Sequence, residues 1–141
     1  MTWLITANYI AVVLLLLCVC VQDVTSRLIA NKLVIAVGVA ACTLSLLRGQ
    51  YPNLILFAAV LIPGFILCMA NIIGGGDIKL MSALALLYTS SQFPHFLFLT
   101  ALSGGAVALV CLLFFFKTTK QHGVPYGVAI SLAFIFSYSI N

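Results

Sequence analysis

The sequence predicts an all-α membrane protein, a polytopic bundle of about six transmembrane helices. Two observations lead to this fold class. Of the 141 residues, 65% are hydrophobic and 6% are charged, and the mean hydropathy is +1.30. This composition is typical of membrane proteins and leaves little polar sequence for a soluble domain. Apolar runs also alternate with short polar turns over the whole length, so we expect residues 1–141 to form a single transmembrane domain.

Turn-forming and small residues divide the chain into spans. The segment Arg48–Asn53 contains Gly, Pro and Asn, and Thr89–Pro94 ends a short fourth run. Met1–Asn8 carries no Lys or Arg, so we expect the first run to remain as a span and not to be cleaved as a signal peptide. Pro63–Gly64 should kink the third span, and Gly104–Gly105 should let another helix approach the fifth. The predicted spans are Trp3–Val21, Leu28–Leu47, Leu54–Ile73, Ile78–Tyr88, His95–Phe116 and Val124–Ile140.

Basic residues mark one side of the predicted bundle. All of them except Arg48 fall at the loops after the first, third and fifth spans. They are Arg27, Lys32, Lys79, Lys117 and Lys120. Because positively charged loops stay in the cytoplasm, we expect a multi-pass protein of the inner (cytoplasmic) membrane with both termini outside. On this topology, Asp23 and Asp77 both lie at the cytoplasmic side.

Several classes of function find no support in the sequence. The formal charge of +4 is not gathered into a basic patch with interleaved aromatics, so no nucleic-acid partner is expected. The five cysteines lie inside apolar runs without a C-x-x-C pair, which argues against a zinc site or a disulfide framework. Two aspartates and two histidines on different faces are too few for a metal site. We expect neither a metal nor a cofactor, and we interpret His95 and His122 as interfacial residues.

Asp23 and Asp77 are the two acidic residues of the chain. A carboxylate near lipid is costly, so its presence suggests a function. Two carboxylates held close together share a proton, and the ionised one can then activate water while the protonated one polarises a peptide carbonyl. Simpler roles remain open at this stage. Asp77 is suited to cap the fourth helix, and Asp23 could snorkel at a span end or cap the second helix.

The residues around the aspartates allow similar alternatives. The three glycines Gly74, Gly75 and Gly76 permit positive φ and close backbone approach, so an extended substrate could lie against them. A flexible turn would use the same residues. Lys79 is most simply an interfacial charge. At the level of the whole protein, a small transporter or proton relay using both aspartates is the alternative to a peptidase, and a non-catalytic assembly scaffold is a third hypothesis.

Three segments resemble the motifs of a known family. Asp23–Asn31 resembles the first motif of the type IV prepilin peptidases, an Asp followed by a basic residue and Ile-Pro-Asn, although Ala30 stands where that family has Pro. Gly74–Leu80 is similar to their GxGD motif, with Gly74, Gly76 and Asp77 in its fixed positions. Pro125–Ile130 resembles the Pro-Tyr/Phe-Gly segment that opens the last helix.

The resemblance implies an intramembrane aspartic endopeptidase with Asp23 and Asp77 as catalytic residues. Such an enzyme removes the basic leader from prepilins or pseudopilins at the cytoplasmic face, beside membrane lipid and in the setting of pilus assembly machinery. The resemblance also singles out possible accessory residues in the three motifs. They are Arg27, Asn31, Lys79, Pro125, Tyr126 and Gly127.

The chain is similar to a compact subgroup of that family. The larger bifunctional members carry a cytoplasmic domain with paired cysteines and also methylate their product. That domain and those cysteine pairs do not occur in this sequence, so methyl transfer is not expected. The compact form looks most like the peptidases of Flp (tight-adherence) pilus systems, and the archaeal preflagellin peptidases share its features.

Overall fold

A computed structural model describes residues 2–26, 29–71, 75–114, 116–117 and 126–140 of the chain. Within these ranges the protein is all-helical, as the composition predicts, with six helices and no strand. The helices are α1 (Thr2–Ser26), α2 (Asn31–Leu47), α3 (Leu54–Met69), α4 (Gly75–Ala85), α5 (Phe93–Phe114) and α6 (Tyr126–Ile140).

Two helix ends near the aspartates differ from the sequence prediction. α1 continues beyond Val21 to Ser26, and the Thr25 hydroxyl donates a 2.7 Å hydrogen bond to the Val21 carbonyl. Polar residues therefore extend this helix instead of ending it. α3 stops at Met69 and not at Ile73, because Asn71 adopts a φ of 59°. Asn tolerates this left-handed conformation, which ends a helix.

α4 lies at the centre of the bundle. It packs against α2, α3 and α6, while α6 also packs against α1 and α5. Its larger apolar side chains Ile78, Leu80 and Leu84 are buried. At 11 residues it is about 16 Å long, roughly half the thickness of the hydrocarbon layer. The neighbouring helices shield this short element from the surroundings.

The outer surface of the bundle is apolar. Large side chains such as Trp3, Leu14, Phe65 and Leu113 are exposed on three different helices. An apolar exterior of this kind suits lipid and is unfavourable in water. Two helical segments, Thr2–Thr25 and Phe93–Phe114, are long and apolar enough to cross a membrane. Apolar stretches in α2, α3 and α6 are shorter.

Two glycines allow close contact between helices. A side chain at Gly64, which follows Pro63 inside α3, would overlap Ile78 of α4. A Cβ at Gly104 would lie 3.5 Å from the ring of Tyr126, so the expected close approach to α5 is confirmed there. The same expectation for Gly105 is wrong, since a Cβ at that position meets nothing within 4 Å.

Consecutive helices run in opposite directions. At one end of the bundle, the backbone N–H of Asn53, the residue before α3, donates to the Leu86 carbonyl just beyond α4, at 3.1 Å. There too, Asn8 near the start of α1 donates to Thr43 near the end of α2, at 2.7 Å. We call this the far end. The opposite end, where α1 and α3 finish and α2, α4 and α6 begin, is called the motif end, because it carries Asp23 and Asp77.

Candidate active site

Asp23 lies in the last two turns of α1 and is 6% exposed. Its Oδ2 atom accepts a 2.7 Å hydrogen bond from the backbone N–H of Gly127, the second residue of α6. The first N–H groups of a helix have no intrahelical acceptor, and this end of the helix dipole favours negative charge. The start of α6 therefore offsets the unfavourable position of Asp23 at the end of its own helix.

Burial excludes one of the simpler interpretations of Asp23. A snorkelling carboxylate would be exposed, whereas this one is buried. The residue before α2 is Ala30, whose side chain does not cap that helix. The sequence offered one signal for the true partner, the Pro-Tyr-Gly segment at the start of the last helix, but no means of pairing it with Asp23.

Only a residue without a side chain fits at position 127 beside the Asp23 carboxylate. A Cβ at this position would lie 2.8 Å from Asp23 Oδ2 and 3.1 Å from its Cγ. Real Cβ atoms essentially never approach other atoms at the first distance. The absence of a side chain at residue 127 is therefore what allows the carboxylate to reach the backbone N–H.

Asp77 lies in the first turn of α4 and is half-buried. It is the third helical residue, after Gly75 and Gly76, so the predicted N-cap role is wrong. Burial and, to a smaller extent, the nearby charge of Asp23 together raise the pKa of Asp77 to about 6. Asp77 lies between the predicted third and fourth spans, outside both. The two aspartates therefore lie within electrostatic range of each other at the motif end.

Gly75 and Gly76 are helical and do not form a loop. Among the described glycines, positive φ occurs at Gly49, so Gly75 and Gly76 do not use the positive φ that glycine permits. The expected close approach is found instead between helices. A Cβ at Gly76 would lie 3.2 Å from Cβ of Ile29, and one at Gly75 would lie 3.3 Å from Sγ of Cys68. These glycines let the start of α4 fit between its neighbours.

A second contact joins the first two motifs. Lys79 Nζ, on an exposed side chain of α4, donates to Asn31 Oδ1 at 3.0 Å. Sequence reasoning missed Gln22, whose Oε1 accepts the Ala30 N–H at 3.1 Å and so ties the end of α1 to the start of α2. Its position directly before Asp23 was the available signal.

Other predicted site residues are placed differently. The ring of Tyr126 lies against Gly104 of α5. Arg27, Gly74 and Pro125 lie outside the described residues, as does His122. His95 is near the start of α5, at the far end. In the described ranges, no three His, Cys, Asp or Glu side chains come together in a group that could hold a metal ion.

Comparison with known proteins agrees with the motifs. The sequence model of the type IV leader peptidase family matches residues 10–109, which is 100 of the 141 residues. The matched region contains Asp23 and Asp77 and ends before Gly127. No curated protein and no solved structure matches the chain.

Proposed function

The chain belongs to the type IV leader peptidase family, and from this premise we propose that it is an intramembrane aspartic endopeptidase. Its substrate class would be prepilins or pseudopilins, from which it removes the basic leader. The observation that supports the aspartic mechanism is the location of both aspartates at one end of the bundle. Buried Asp23 and half-buried Asp77 lie at the same end of the bundle, close enough for one charge to affect the other.

The two aspartates have surroundings suited to different roles. The Gly127 N–H donates to Asp23, an arrangement that favours its carboxylate form. Burial and the Asp23 charge favour the protonated form of Asp77. In the proposed reaction, Asp23 takes a proton from water as the water oxygen bonds to the scissile carbonyl carbon. Asp77 gives its proton to the carbonyl oxygen.

Breakdown of the tetrahedral intermediate completes the proposed reaction and restores both aspartates to their starting protonation states. The C–N bond breaks, the leaving nitrogen takes the proton held by Asp23, and the carbonyl oxygen returns its proton to Asp77. The products are a free carboxyl group and a free amine. First-turn N–H groups of Gly75 and Gly76 lack intrahelical acceptors, so we assign them, with Gly74, to the substrate backbone.

The proposal includes a membrane topology. Six spans with both termini outside would place the motif end at the cytoplasmic face of the inner membrane, next to lipid and the pilus assembly machinery. The distribution of basic residues supports this orientation. The transporter hypothesis is less well supported, because transported ions bind near the midplane and both aspartates lie near helix ends.

Coexpression with a prepilin tests the proposal. Asp23→Asn and Asp77→Asn should each accumulate in the membrane and reduce leader cleavage at least about 100-fold, the usual contribution of a general acid or base. Ser137→Ala is the control, since Ser137 is a buried polar residue on the opposite half of α6, and it should cleave like the parent. Cleavage at the parental rate by either aspartate variant would falsify the proposed pair.

A further inference from the structure

Residues 29–31, which we call the bridge segment, contact the start of α4 at two places. The side chain of Ile29 lies over Gly76, where an added Cβ would come within 3.2 Å of Cβ of Ile29. Asn31, the first residue of α2, accepts the 3.0 Å hydrogen bond from Lys79 Nζ. The two α4 residues in these contacts lie one position before and two positions after the candidate catalytic aspartate of that helix. A shift of the bridge segment would therefore disturb the backbone on either side of this aspartate.

The bridge segment is also attached to the end of α1. Gln22, which directly precedes Asp23, accepts the Ala30 N–H with its Oε1 atom at 3.1 Å. The Gln22 side chain is half-buried. Ala30 precedes the first residue of α2, so that helix offers its N–H no acceptor. The side chain of Gln22 supplies this acceptor and connects the segment to α1 beside the first aspartate.

The backbone of Ala30 has the conformation that a proline would impose. Its φ is −64° and its ψ is 135°. A proline ring fixes φ at about −65° and removes the N–H. Alanine leaves φ free to vary, but it keeps the N–H that bonds to Gln22. A proline ring and the bond to Gln22 are therefore two alternative ways of holding the bridge segment in one conformation, and this chain uses the bond.

We propose that Gln22 is a positioning residue, which holds the bridge segment against α4 and thereby fixes Asp77 relative to Asp23. The inference rests on the proposed function and identifies a residue on which the separation of the two aspartates depends. In the proposed reaction both aspartates act on the same water and peptide carbonyl. A change in their separation therefore lowers kcat, whereas substrate binding, and with it KM, is little affected.

Kinetics of leader cleavage test the proposal with two matched variants. Gln22→Met keeps the length of the side chain and removes the acceptor oxygen. Gln92→Met is the control, because Gln92 is also half-buried and its Oε1 accepts the Thr89 N–H, at 3.3 Å, at the far end. The substrate is a synthetic peptide with a basic leader, a cleavage segment and an apolar helix of about 20 residues. We expect Gln22→Met to lower kcat about tenfold and to change KM less than about twofold. Gln92→Met should change neither constant, and equal kcat values in the two variants would overturn the proposal.

Rescue by Ala30→Pro distinguishes positioning from a general loss of stability. The ring imposes the φ that residue 30 already has, so Ala30→Pro alone should keep kcat within about twofold of the parent. Added to Gln22→Met, it should return kcat to the same range. All rates are measured well below the Tm of each variant, so differences in stability do not enter. Loss of activity in Ala30→Pro alone, or no rescue in the double variant, would overturn the proposal.

Thermal unfolding in detergent provides a readout that does not depend on cleavage. If the bridge segment connects α1 to α4, Gln22→Met and Lys79→Met should be coupled. The decrease in Tm of the double variant should then be smaller than the sum of the two single decreases. Gln92→Met combined with Lys79→Met should be additive. Additive decreases for the first pair would overturn the proposal. Failure of the parent chain to cleave the peptide, with this coupling present, would instead count against the proposed function.

Discussion

The hydrogen bond from the Gly127 N–H makes a glycine of α6 important for the position of the Asp23 carboxylate on α1. Gly127→Ala keeps the backbone N–H but adds a Cβ where Asp23 Oδ2 now lies, 2.8 Å away. The carboxylate must shift, and a shift of about 1 Å in a catalytic group costs about 100-fold in rate. We expect kcat for leader cleavage to fall by that order with little change in KM.

Gly105→Ala is the matched control for this variant. It makes the same chemical change in a helix, with the same gain in helix propensity, at a position with nothing within 4 Å of the new Cβ. Its kcat should equal that of the parent. If Gly127→Ala also retained the parental kcat, the bond to Asp23 would have no catalytic role.

The raised pKa of Asp77 predicts a pH dependence of stability. Its folded-state pKa is about 6, above the ordinary value of 3.8, so the folded protein binds this proton more tightly than the unfolded chain. The contribution is complete below about pH 4 and is lost as the pH rises through about 6. Thermal unfolding in detergent should show a Tm that decreases from pH 4 to 8. The decrease should be smaller in Asp77→Asn, because this variant lacks the titrating carboxyl group. Identical pH profiles for parent and variant would contradict the assignment to Asp77.

The positions of single residues were easier to predict than their partners. The shortage of acidic residues singled out Asp23 and Asp77, and helix counting put them at the same end. The Gly127 N–H was missed because the two residues are 104 positions apart, and nothing in the sequence determines which helices pack together. The helical Gly75 and Gly76 were missed because a glycine run is equally typical of a turn.

The contact between α3 and α4 depends on a missing side chain. Gly64→Ala would place a Cβ inside the volume of the Ile78 side chain, and such overpacking costs about 1–3 kcal/mol. We expect a lower free energy of unfolding in detergent for this variant. Ile78→Ala should destabilise the protein when made alone. The double variant should be more stable than the sum of the two effects predicts, because the space left by Ile78→Ala accommodates the new Cβ at residue 64. Simple additivity would show that the two residues do not compete for space.

Helix boundaries were predicted from the positions of polar residues, and the structure shows why this was insufficient. α1 continues through Gln22 and Asp23 because its polar side chains find acceptors and donors nearby. α3 ends earlier because of the conformation of Asn71. The central burial of α4 also escaped prediction, since hydropathy does not distinguish a lipid-facing helix from one surrounded by protein.

At the scale of the whole molecule, composition was sufficient to predict an all-helical bundle. The direction of the chain across the membrane is tested by fusing alkaline phosphatase, which is active only outside the cytoplasm. Fusions at either chain end should be active, and a fusion after Lys117 should be inactive. An active fusion after Lys117 would reverse the orientation and place the motif end outside.

The bond between Asp23 and Gly127 also bears on the order of events during biosynthesis. Asp23 emerges from the ribosome early, whereas the N–H that it binds belongs to a helix made 104 residues later. A nascent chain that has inserted α1 to α5 still lacks this donor, and contacts between distant segments form late in folding. The timing of translation thus leaves Asp23, a member of the proposed catalytic pair, without this donor until the last helix has entered the bundle.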